Sequence, residues 1–544
     1  MKNNKLVFLL LATLMPFTGA LAADDNRADY AVVPMPQQVT PTRQGAFVLT
    51  DATRIAYPEG NELLKKDALF LSDYIADVTA LKMSVTTGRV KNGITLRLNK
   101  KVQDKEGYVL TVDKKGVLIE GATAAGVFYG VQTLRKSIPV DKTQTEVTLP
   151  AVIVKDAPRF GYRGMMLDCV RHYFPVEFVK RYIDLIAMHN MNVFHWHLTD
   201  DQGWRIEVKK YPELARIGSV RKRTVVGRNS DVFDNTPYGG FYTQDEAREI
   251  VKYAADRFIT VIPEIDMPGH MVAALAAYPD MGCTGGPYDV CQIWGVLPDV
   301  LCLGNEKIYT FCEDVLTEMM DIFPSEYIHL GGDETPYSRW EECPKCKALM
   351  ARENLAPNKL QGYFTNRIEK FVNSKGRRII GWDEILDGNI NQSATIMSWR
   401  GTEPGTRGAK LGHDVIMSPA SHVYFDYYQT RKDESQWNEP LLIGGNLPIE
   451  QTYSLEPVPE DADAVTAGHI IGVQANLWTE YIPYPPLAEY QVLPRMGALS
   501  EVQWRPQGKK DFGDYKLRQS RMLKLYEAYG FMYAKHLWHR TEKQ

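Results

Sequence analysis

Two adjacent acids, Asp333 and Glu334, are the residues of this 544-residue sequence best suited to chemistry. They follow an apolar run over residues 327–330 and two glycines, which predicts a buried strand breaking into a tight turn. Two carboxylates held close together cannot both ionise freely, so one shifts towards the neutral form that a general acid needs near neutral pH. An isolated Asp-Glu pair is most often a solvated turn, and the neighbouring motifs decide between these interpretations.

Polar and aromatic residues also follow most of the other predicted strands. Trp382, Trp399 and Trp478 recur at corresponding strand ends, where an indole can stack on the C–H face of a sugar ring. A single buried tryptophan is usually core, but this recurrence favours a ligand pocket. Acids and arginines beside them suit sugar hydroxyls. The candidates are Arg163, Asp168, Arg171, His172, Asp200, Asp201, His270, Asp383, Glu384, Arg400, Tyr424, Asp426 and Glu480.

Strand and helix patterns alternate from residue 162 onward and would position these side chains. Eight such patterns predict an α/β fold, a (β/α)8 TIM barrel, whose active site is built at the C-terminal ends of the strands. A doubly wound open sheet is the alternative, although no glycine-rich nucleotide fingerprint follows any strand. The predicted strands are 164–168, 192–198, 259–265, 327–331, 378–382, 394–399, 415–419 and 470–477.

The residues ahead of the barrel alternate short strand patterns with two helical ones, which predicts a small α+β domain. Residues 156–159 resemble a linker, and residues 514–536 read as one amphipathic helix. The predicted organisation is a signal peptide over 1–22, the small domain over 23–155, the barrel over 156–510 and a helical extension over 511–544 that packs on the barrel.

The N-terminus has the pattern of a secretory signal peptide. Lys2 and Lys5 precede an apolar stretch over residues 6–17, and small residues at Ala20 and Ala22 form a cleavage site. We therefore expect an exported protein, either periplasmic or secreted, from a bacterium. No other segment is long and apolar enough to cross a bilayer. The formal net charge of -4 gives no reason to expect nucleic acid or an anionic membrane surface as a partner.

Seven cysteines in an exported chain permit disulfides, and the odd number leaves at least one thiol unpaired. Cys283 and Cys302 bracket a loop rich in glycine and proline, and they form the favoured pair. Cys343 and Cys346 form a lone CxxC motif. Because this motif lacks the second pair of a zinc site, a local disulfide or free thiols are favoured over metal.

His195, His197 and His270 offer a second possible metal site. A His-x-His pair on a strand places two imidazoles on one face. No third ligand follows at a recognised spacing, and inward-facing barrel histidines are the favoured explanation, which suffices for His195. We therefore predict no metal and no cofactor.

Four motifs resemble those of glycoside hydrolase family 20, the exo-acting β-N-acetylhexosaminidases. They are Arg163-Gly164 and residues 195–204, 263–270 and 329–334. The resemblance extends from about residue 30 to 505 and includes a small α+β domain ahead of the barrel. It implies a glycan partner with terminal β-linked N-acetylhexosamine, GlcNAc and also GalNAc.

The resemblance also implies substrate-assisted retention, an exception to the usual two-carboxylate scheme. The 2-acetamido oxygen of the substrate would attack the anomeric carbon. Glu334 would protonate the leaving oxygen and then deprotonate water, while Asp333 would orient the acetamido group. Tyr424 would hydrogen-bond the acetamido oxygen. Trp382, Trp399 and Trp478 would form the walls of the pocket.

The remaining roles implied by the resemblance concern the hydroxyl groups and the support of the acid. Arg163, Asp426 and Glu480 would hold the 3-, 4- and 6-hydroxyls. His270 and one of Asp200 and Asp201 would support Glu334 electrostatically.

Three alternatives to this activity remain open from the sequence. A non-catalytic glycan-binding protein would need no acid pair. A relative specific for 6-sulfated GlcNAc, or a disaccharide-releasing lacto-N-biosidase, would need a reshaped hydroxyl-binding end, whereas Asp426 and Glu480 are present in the common arrangement.

Overall fold

The computed structural model describes residues 26–431 and 439–539, so the predicted signal peptide lies outside the described residues. They form a small α+β domain, a closed barrel and C-terminal helices. Within this described part of the chain, no helix has the length and apolar character needed to cross a membrane.

The small domain is built on a seven-stranded sheet with the order β1-β9-β6-β7-β5-β3-β4. Alternation along β6 buries Tyr108, Leu110 and Val112 and leaves the residues between them partly exposed, as expected for a sheet with one face in the core. The elements are β1 Gln38–Pro41, β2 Phe47–Leu49, β3 Arg54–Tyr57, α1 Glu62–Val78, β4 Ser84–Thr87, β5 Gly93–Leu98, β6 Tyr108–Asp113, β7 Gly116–Gly121, α2 Ala124–Ser137, β8 Val147–Leu149 and β9 Val152–Asp156.

Eight parallel strands close into a barrel in the order β10-β11-β16-β17-β18-β19-β20-β21. Every residue of β10 and β11 is buried, because these strands lie between the barrel interior and the surrounding helices. The TIM barrel is therefore confirmed, and the open-sheet alternative is wrong. The strands, with four short ones in the loops, are β10 Tyr162–Asp168, β11 Val193–His197, β12 Thr199–Asp200, β13 Gly203–Trp204, β14 Val220–Arg221, β15 Tyr238–Gly239, β16 Thr260–Glu264, β17 Tyr327–His329, β18 Arg378–Trp382, β19 Thr395–Ser398, β20 Val415–Met417 and β21 Ile470–Ala475.

Helices lie between the barrel strands and begin where local capping is available. In α4, Thr243 Oγ1 accepts from the backbone N–H of Glu246, whose carboxylate accepts from the Thr243 N–H in return, which is a capping box. The helices are α3 Val176–Met188, α4 Gln244–Ala255, α5 Val272–Ala277, α6 Lys307–Ile322, α7 Ser338–Glu342, α8 Pro344–Glu353, α9 Pro357–Ser374, α10 Thr402–Lys410, α11 Ala420–Val423, α12 Ile449–Ser454, α13 Ala464–His469, α14 Pro485–Val492 and α15 Arg495–Trp504.

The C-terminal helix is shorter than the sequence predicts. Helix α16, Phe512–Ala528, ends before a glycine, and only the short α17, His536–His539, follows. Gly530 adopts a φ of 64°, and the N–H of Phe531 donates to the Tyr526 carbonyl, which is the hydrogen bond of a left-handed helix end. A buried ion pair of 2.7 Å between Arg518 and Glu501 holds α16 against α15.

Candidate active site

The turn that carries the acid pair is built by two glycines after β17. Gly331 and Gly332 adopt φ values of 63° and 91°, a region that side chains other than glycine rarely enter. The N–H of Gly332 donates to Asp266 Oδ1 over 3.0 Å, and Gln361 Nε2 donates to the Gly332 carbonyl over 2.6 Å. Glu334 itself has a φ of 45°, so the turn holds the acid in a strained conformation.

Asp333 and Glu334 share one polar environment around His270. The Nε2 atom of His270 lies 3.9 Å from Asp333 Oδ2 and 3.9 Å from Glu334 Oε2. Burial raises the pKa of Glu334, and the charge of Asp333 raises it further. Burial also raises the pKa of Asp333, against the charge of His270. A negative charge on Asp333 therefore favours a protonated Glu334, the form that a general acid requires.

His270 connects the acid pair to two further carboxylates. Its Nδ1 atom lies 3.2 Å from both Asp200 Oδ1 and Asp201 Oδ2. Burial opposes the charged ring, but Asp200 and Asp201 raise the pKa of His270 well above its usual range. Burial also works against an ionised Asp200, yet Arg171 and His270 hold the pKa of Asp200 well below its usual range. Both aspartates thus act on Glu334 through a cationic His270.

Four aromatic side chains line one side of the pocket. The Trp382 and Trp478 ring centroids are 5.9 Å apart, and those of Trp478 and Tyr424 are 6.4 Å apart. Trp399 stacks on Tyr424 at 6.1 Å. These rings extend from the ends of β18, β19, β20 and β21 as a continuous wall, which suits the apolar faces of a sugar.

A buried carboxylate in the barrel interior orients the wall. Trp382 Nε1 donates to Glu264 Oε1 over 2.9 Å. His195 Nε2 and His197 Nδ1 lie 2.9 and 2.6 Å from Glu264 Oε2, and His329 Nδ1 lies 3.2 Å from Oε1. The interpretation of His195 as an inward-facing barrel histidine therefore fits this arrangement, and His197 contacts the same carboxylate. Glu264 was part of a sequence motif but had no predicted role.

Trp399 is held by two acids that follow β18. Its Nε1 atom donates to Glu384 Oε1 and Oε2 at 3.1 and 3.0 Å, and its backbone N–H donates to Asp383 Oδ2 at 2.9 Å. Burial, with the charges of Asp333 and Asp383, raises the pKa of Glu384 to about 8. The sequence predicted Asp383 and Glu384 at the end of a strand, but it did not predict their hydrogen bonds with Trp399.

The hydroxyl-binding candidates Asp426 and Glu480 lie beside Arg171. Asp426 is buried, and the Arg171 Nη1 atom is 3.8 Å from Glu480 Oε1. The same guanidinium is 2.7 Å from Asp200 and lies 5.0 Å above the Trp478 ring. This arginine therefore joins the hydroxyl-binding end to the carboxylates behind His270.

Several buried polar atoms in this pocket lack a hydrogen-bond partner among the described residues. They are His270 Nε2, Asp333 Oδ1, Asp426 Oδ1 and Glu480 Oε2. Leaving such an atom unpaired is costly, so each is suited to a polar group of a ligand.

Arg163 does not lie in this pocket, and its predicted role is wrong. It is at the start of β10, where its Nη1 atom is 2.7 Å from Glu106 Oε2 of the small domain and its Nε atom donates to the Asn190 carbonyl. A cavity of about 880 Å³ opens at this end beside Glu106 and Tyr162, away from the C-terminal strand ends. The pocket arginine is Arg171, which follows β10, and its position after the strand was the signal for it.

A closed parallel barrel with an acid pair and a tryptophan wall at the C-terminal strand ends defines the class of barrel glycoside hydrolases. The chain belongs to glycosyl hydrolase family 20. Residues 160–507 match the model of the catalytic domain of this family, and residues 29–157 match the model of its domain 2. The predicted family is thus confirmed.

Curated relatives and solved structures agree with this family. The chain is 42% identical over 512 residues to a beta-hexosaminidase of Porphyromonas gingivalis, covering 92% of this chain and 64% of the relative. It is 39% identical over 415 residues to a beta-hexosaminidase of Vibrio furnissii, covering 75% and 66%. A Vibrio harveyi exo beta-N-acetylglucosaminidase, solved in complex with N-acetylglucosamine, superposes with a TM-score of 0.82 at 32% identity, covering 94% and 79%. The chain spans about two thirds of the length of these curated relatives.

Proposed function

We propose that this chain is an exo-acting, retaining β-N-acetylhexosaminidase that removes terminal β-linked GlcNAc, and GalNAc, from glycans by substrate-assisted catalysis. The observation that carries the proposal is the position of His270 Nε2, 3.9 Å from both Asp333 and Glu334. The acid pair, its cation and the aromatic wall all follow the C-terminal ends of the barrel strands. The names of the similar proteins support the same activity.

In the first step, the 2-acetamido carbonyl oxygen attacks the anomeric carbon as the glycosidic bond breaks. Glu334 gives its proton to the leaving oxygen, and a cyclic oxazolinium ion forms without an enzyme nucleophile. Asp333 accepts a hydrogen bond from the acetamido N–H and balances the positive charge of the ring. Tyr424, at the centre of the wall, donates its hydroxyl hydrogen to the acetamido oxygen.

In the second step, Glu334 is a carboxylate and takes a proton from water. This water attacks the anomeric carbon from the face that the leaving group vacated, and the oxazolinium ring opens. Two inversions give net retention. Asp333 acts as a carboxylate in both steps, and the charge of the adjacent His270 favours that ionised form against the effect of burial.

The terminal sugar is held at the opposite end from the leaving group. Asp426 Oδ1 and Glu480 Oε2, both without a partner among the described residues, accept hydrogen bonds from sugar hydroxyls. Burial raises the pKa of Glu480, and the guanidinium of Arg171, 3.8 Å from Glu480 Oε1, opposes that shift and favours the carboxylate. Trp382, with only 1% of its surface exposed, forms the floor of the pocket.

The remainder of the glycan leaves through a more open space. A cavity of about 570 Å³ lies beside Glu334 and is lined by Tyr337, Lys359, Glu384 and Arg400. The Glu334 side chain is 44% exposed, which suits an acid that must reach the bond between the buried sugar and an exposed leaving group.

Three measurements on one preparation test this function. An aryl β-N-acetylglucosaminide should be hydrolysed, and NMR should identify the β-anomer as the first product. GlcNAc-thiazoline, a stable analogue of the cyclised intermediate, should inhibit competitively. Absence of turnover would favour a glycan-binding protein, and the α-anomer or insensitivity to thiazoline would exclude the substrate-assisted route.

We also propose that the protein is exported and acts in the periplasm or outside the cell. The support is the basic, apolar and small-residue pattern of residues 1–22. Fractionation of the producing bacterium, with mass spectrometry of the mature N-terminus, tests it. Activity confined to the cytosol with an intact N-terminus would contradict export.

A further inference from the structure

Four cysteines from separate parts of the barrel loops meet in one place. Their four sulfur atoms all lie within 4.8 Å of one another, and the residues are Cys283, Cys302, Cys343 and Cys346. The Cys302 sulfur is 3.6 Å from that of Cys343 and 3.7 Å from that of Cys346, and the Cys283–Cys346 separation is 3.8 Å. All except Cys283 are buried. We call these residues the four-cysteine cluster.

These sulfur separations differ from those of disulfides. A disulfide bond joins two sulfurs at about 2.0 Å, whereas all seven cysteines of the chain, which all lie in the described part, are thiols here. The predicted Cys283–Cys302 disulfide is therefore not formed. A zinc ion bound by four thiolates at about 2.3 Å has sulfur-to-sulfur edges of about 3.8 Å. The three separations of 3.6, 3.7 and 3.8 Å match edges of such a tetrahedron, and the other three lie within 4.8 Å.

The backbone brings the first pair of cysteines together through a local bridge. Gly282 and Leu301 pair as an antiparallel bridge, and the Cys302 N–H donates to the Met281 carbonyl over 2.8 Å. Cys283 and Cys302 are nineteen residues apart in sequence but leave this bridge side by side. They supply the second pair of ligands that the lone CxxC motif lacked.

The second pair lies at the start of helix α8. Cys343 immediately precedes the helix and Cys346 is in its first turn, where the helix dipole stabilises negative thiolates. A Cβ atom at Gly304 would lie 2.2 Å from the carbonyl carbon of Lys345. A glycine is therefore needed at 304 for the segment after Cys302 to reach the CxxC turn.

We propose that the four-cysteine cluster binds one zinc ion as four thiolates. Soft thiolate ligands in a tetrahedral set select zinc over magnesium or calcium. Binding releases the four thiol protons to solvent and fills all four coordination positions. A closed site of this type is structural, because no position remains for water or substrate.

The zinc ion joins two loops that carry the active site. Cys283 and Cys302 belong to the segment after β16, which also carries His270, while Cys343 and Cys346 belong to the segment after β17. That second segment begins with Asp333 and Glu334. The ion thus holds the cation and the acid pair in a fixed relative position, although the site is independent of the proposed reaction.

Metal analysis of the full-length wild-type protein is the primary test. Protein produced in zinc-supplemented medium and dialysed against metal-free buffer should contain one zinc ion per chain by elemental mass spectrometry. X-ray absorption at the zinc edge should give four sulfur neighbours at about 2.3 Å. Zinc release on titration with a mercurial reagent should be complete when four thiols have reacted.

Matched cysteine variants locate the ion. Cys302→Ser and Cys346→Ser should lose at least nine tenths of the zinc and melt at a lower temperature. Cys312→Ser and Cys169→Ser replace buried cysteines outside the cluster and should retain one zinc ion. If the first two variants do not fold, the wild-type stoichiometry and absorption spectrum still decide the question.

Three results would overturn the assignment. The first is wild-type protein that retains less than a tenth of a zinc ion per chain and has four reactive thiols. The second is an intact mass that shows disulfides by the loss of two hydrogens for each bond. Zinc bound through nitrogen or oxygen ligands, and kept by the Cys302→Ser variant, would place the ion elsewhere.

Discussion

The Nε2 atom of His270 lies 3.9 Å from Oε2 of Glu334, while the opposite ring nitrogen contacts Asp200 and Asp201. The imidazole therefore lies between the buried carboxylates of Asp200 and Asp201 on one side and the reacting carboxyl group of Glu334 on the other. Its positive charge lowers the pKa of Glu334 and of Asp333, against the effect of burial on both. The position of His270 thus sets the pH range in which Asp333 is ionised while Glu334 holds its proton.

Replacing His270 should move the pH profile of kcat/KM to higher pH. The acidic limb reports protonation of Asp333 and the basic limb reports deprotonation of Glu334, as macroscopic values of the pair. Because the cation lowers both pKa values, His270→Asn raises both, and both limbs move upward. The His469→Asn variant, at the far end of the barrel beside Asp414, should keep the wild-type profile. An unchanged or downward-shifted profile for His270→Asn would contradict this role.

Replacing the Glu334 carboxyl group with an amide, which cannot donate the proton, should abolish efficient hydrolysis of substrates with poor leaving groups. For Glu334→Gln, turnover of chitobiose should fall by about 10²–10⁴-fold, the usual contribution of a general acid and base. Azide, which needs no base, should partly restore turnover of a dinitrophenyl glycoside but not of chitobiose. Glu341→Gln, an exposed neighbour in α7, serves as the control and should retain wild-type rates. Wild-type chitobiose turnover in the Glu334 variant would remove this residue from the acid role.

Neutralising Asp333 should slow the reaction by roughly two to four powers of ten, since it removes electrostatic stabilisation of the oxazolinium ion. Inhibition by GlcNAc-thiazoline should weaken in parallel for Asp333→Asn, because the same carboxylate binds the analogue. Asp280→Asn, an exposed acid with a 61% exposed side chain, is the control. A loss below tenfold, or thiazoline affinity equal to wild type, would contradict the role of Asp333.

The fold was predictable from the sequence because barrel strands are short apolar runs with polar residues at one end. All eight predicted strands overlap barrel strands, and the Trp and acid residues at their ends meet in one pocket. The capping box formed by Thr243 and Glu246 at the start of α4 is likewise a pattern of residues close together in the sequence. These are local signals, in which the period and end of each segment follow from neighbouring residues.

Features that depend on long-range contacts could not be read in this way. Arg163 was assigned to the sugar because its motif was recognised, although it lies at the start of β10 and instead contacts Glu106 in another domain. Cys283 and Cys302 join the CxxC motif through a backbone bridge that their sequence spacing does not indicate. Gly530 ended α16 early, and only its left-handed φ distinguishes it from a glycine within a helix.

Substitutions at Arg171 and Arg163 should have different effects. The change at Arg171 should lower kcat/KM, and the change at Arg163 should lower the melting temperature. Arg171→Lys replaces a planar fork that contacts Asp168, Asp200 and Glu480 with a single ammonium group. We expect kcat/KM to fall roughly tenfold or more, since charge-assisted hydrogen bonds contribute about 1.5–3 kcal/mol, with little change in Tm. Arg163→Lys should lower Tm and leave kcat/KM within about twofold. The reverse pattern would return the substrate role to Arg163.

Adding one methyl group to the turn before the acid pair should lower both the free energy of unfolding and kcat/KM. In Gly331→Ala the new Cβ would lie 1.8 Å from Asp266 Oδ1, and the φ of 63° would also be strained. Overpacking and left-handed strain together should lower the free energy of unfolding by roughly 2–5 kcal/mol. Because the turn must shift, kcat/KM should fall as well. Gly376→Ala has a φ of 73° with no atom within 4 Å, so it should show only the backbone cost of about 1–2 kcal/mol and full activity. Urea unfolding and kcat/KM for both variants make the comparison, and equal losses at the two glycines would contradict a turn built for the acids.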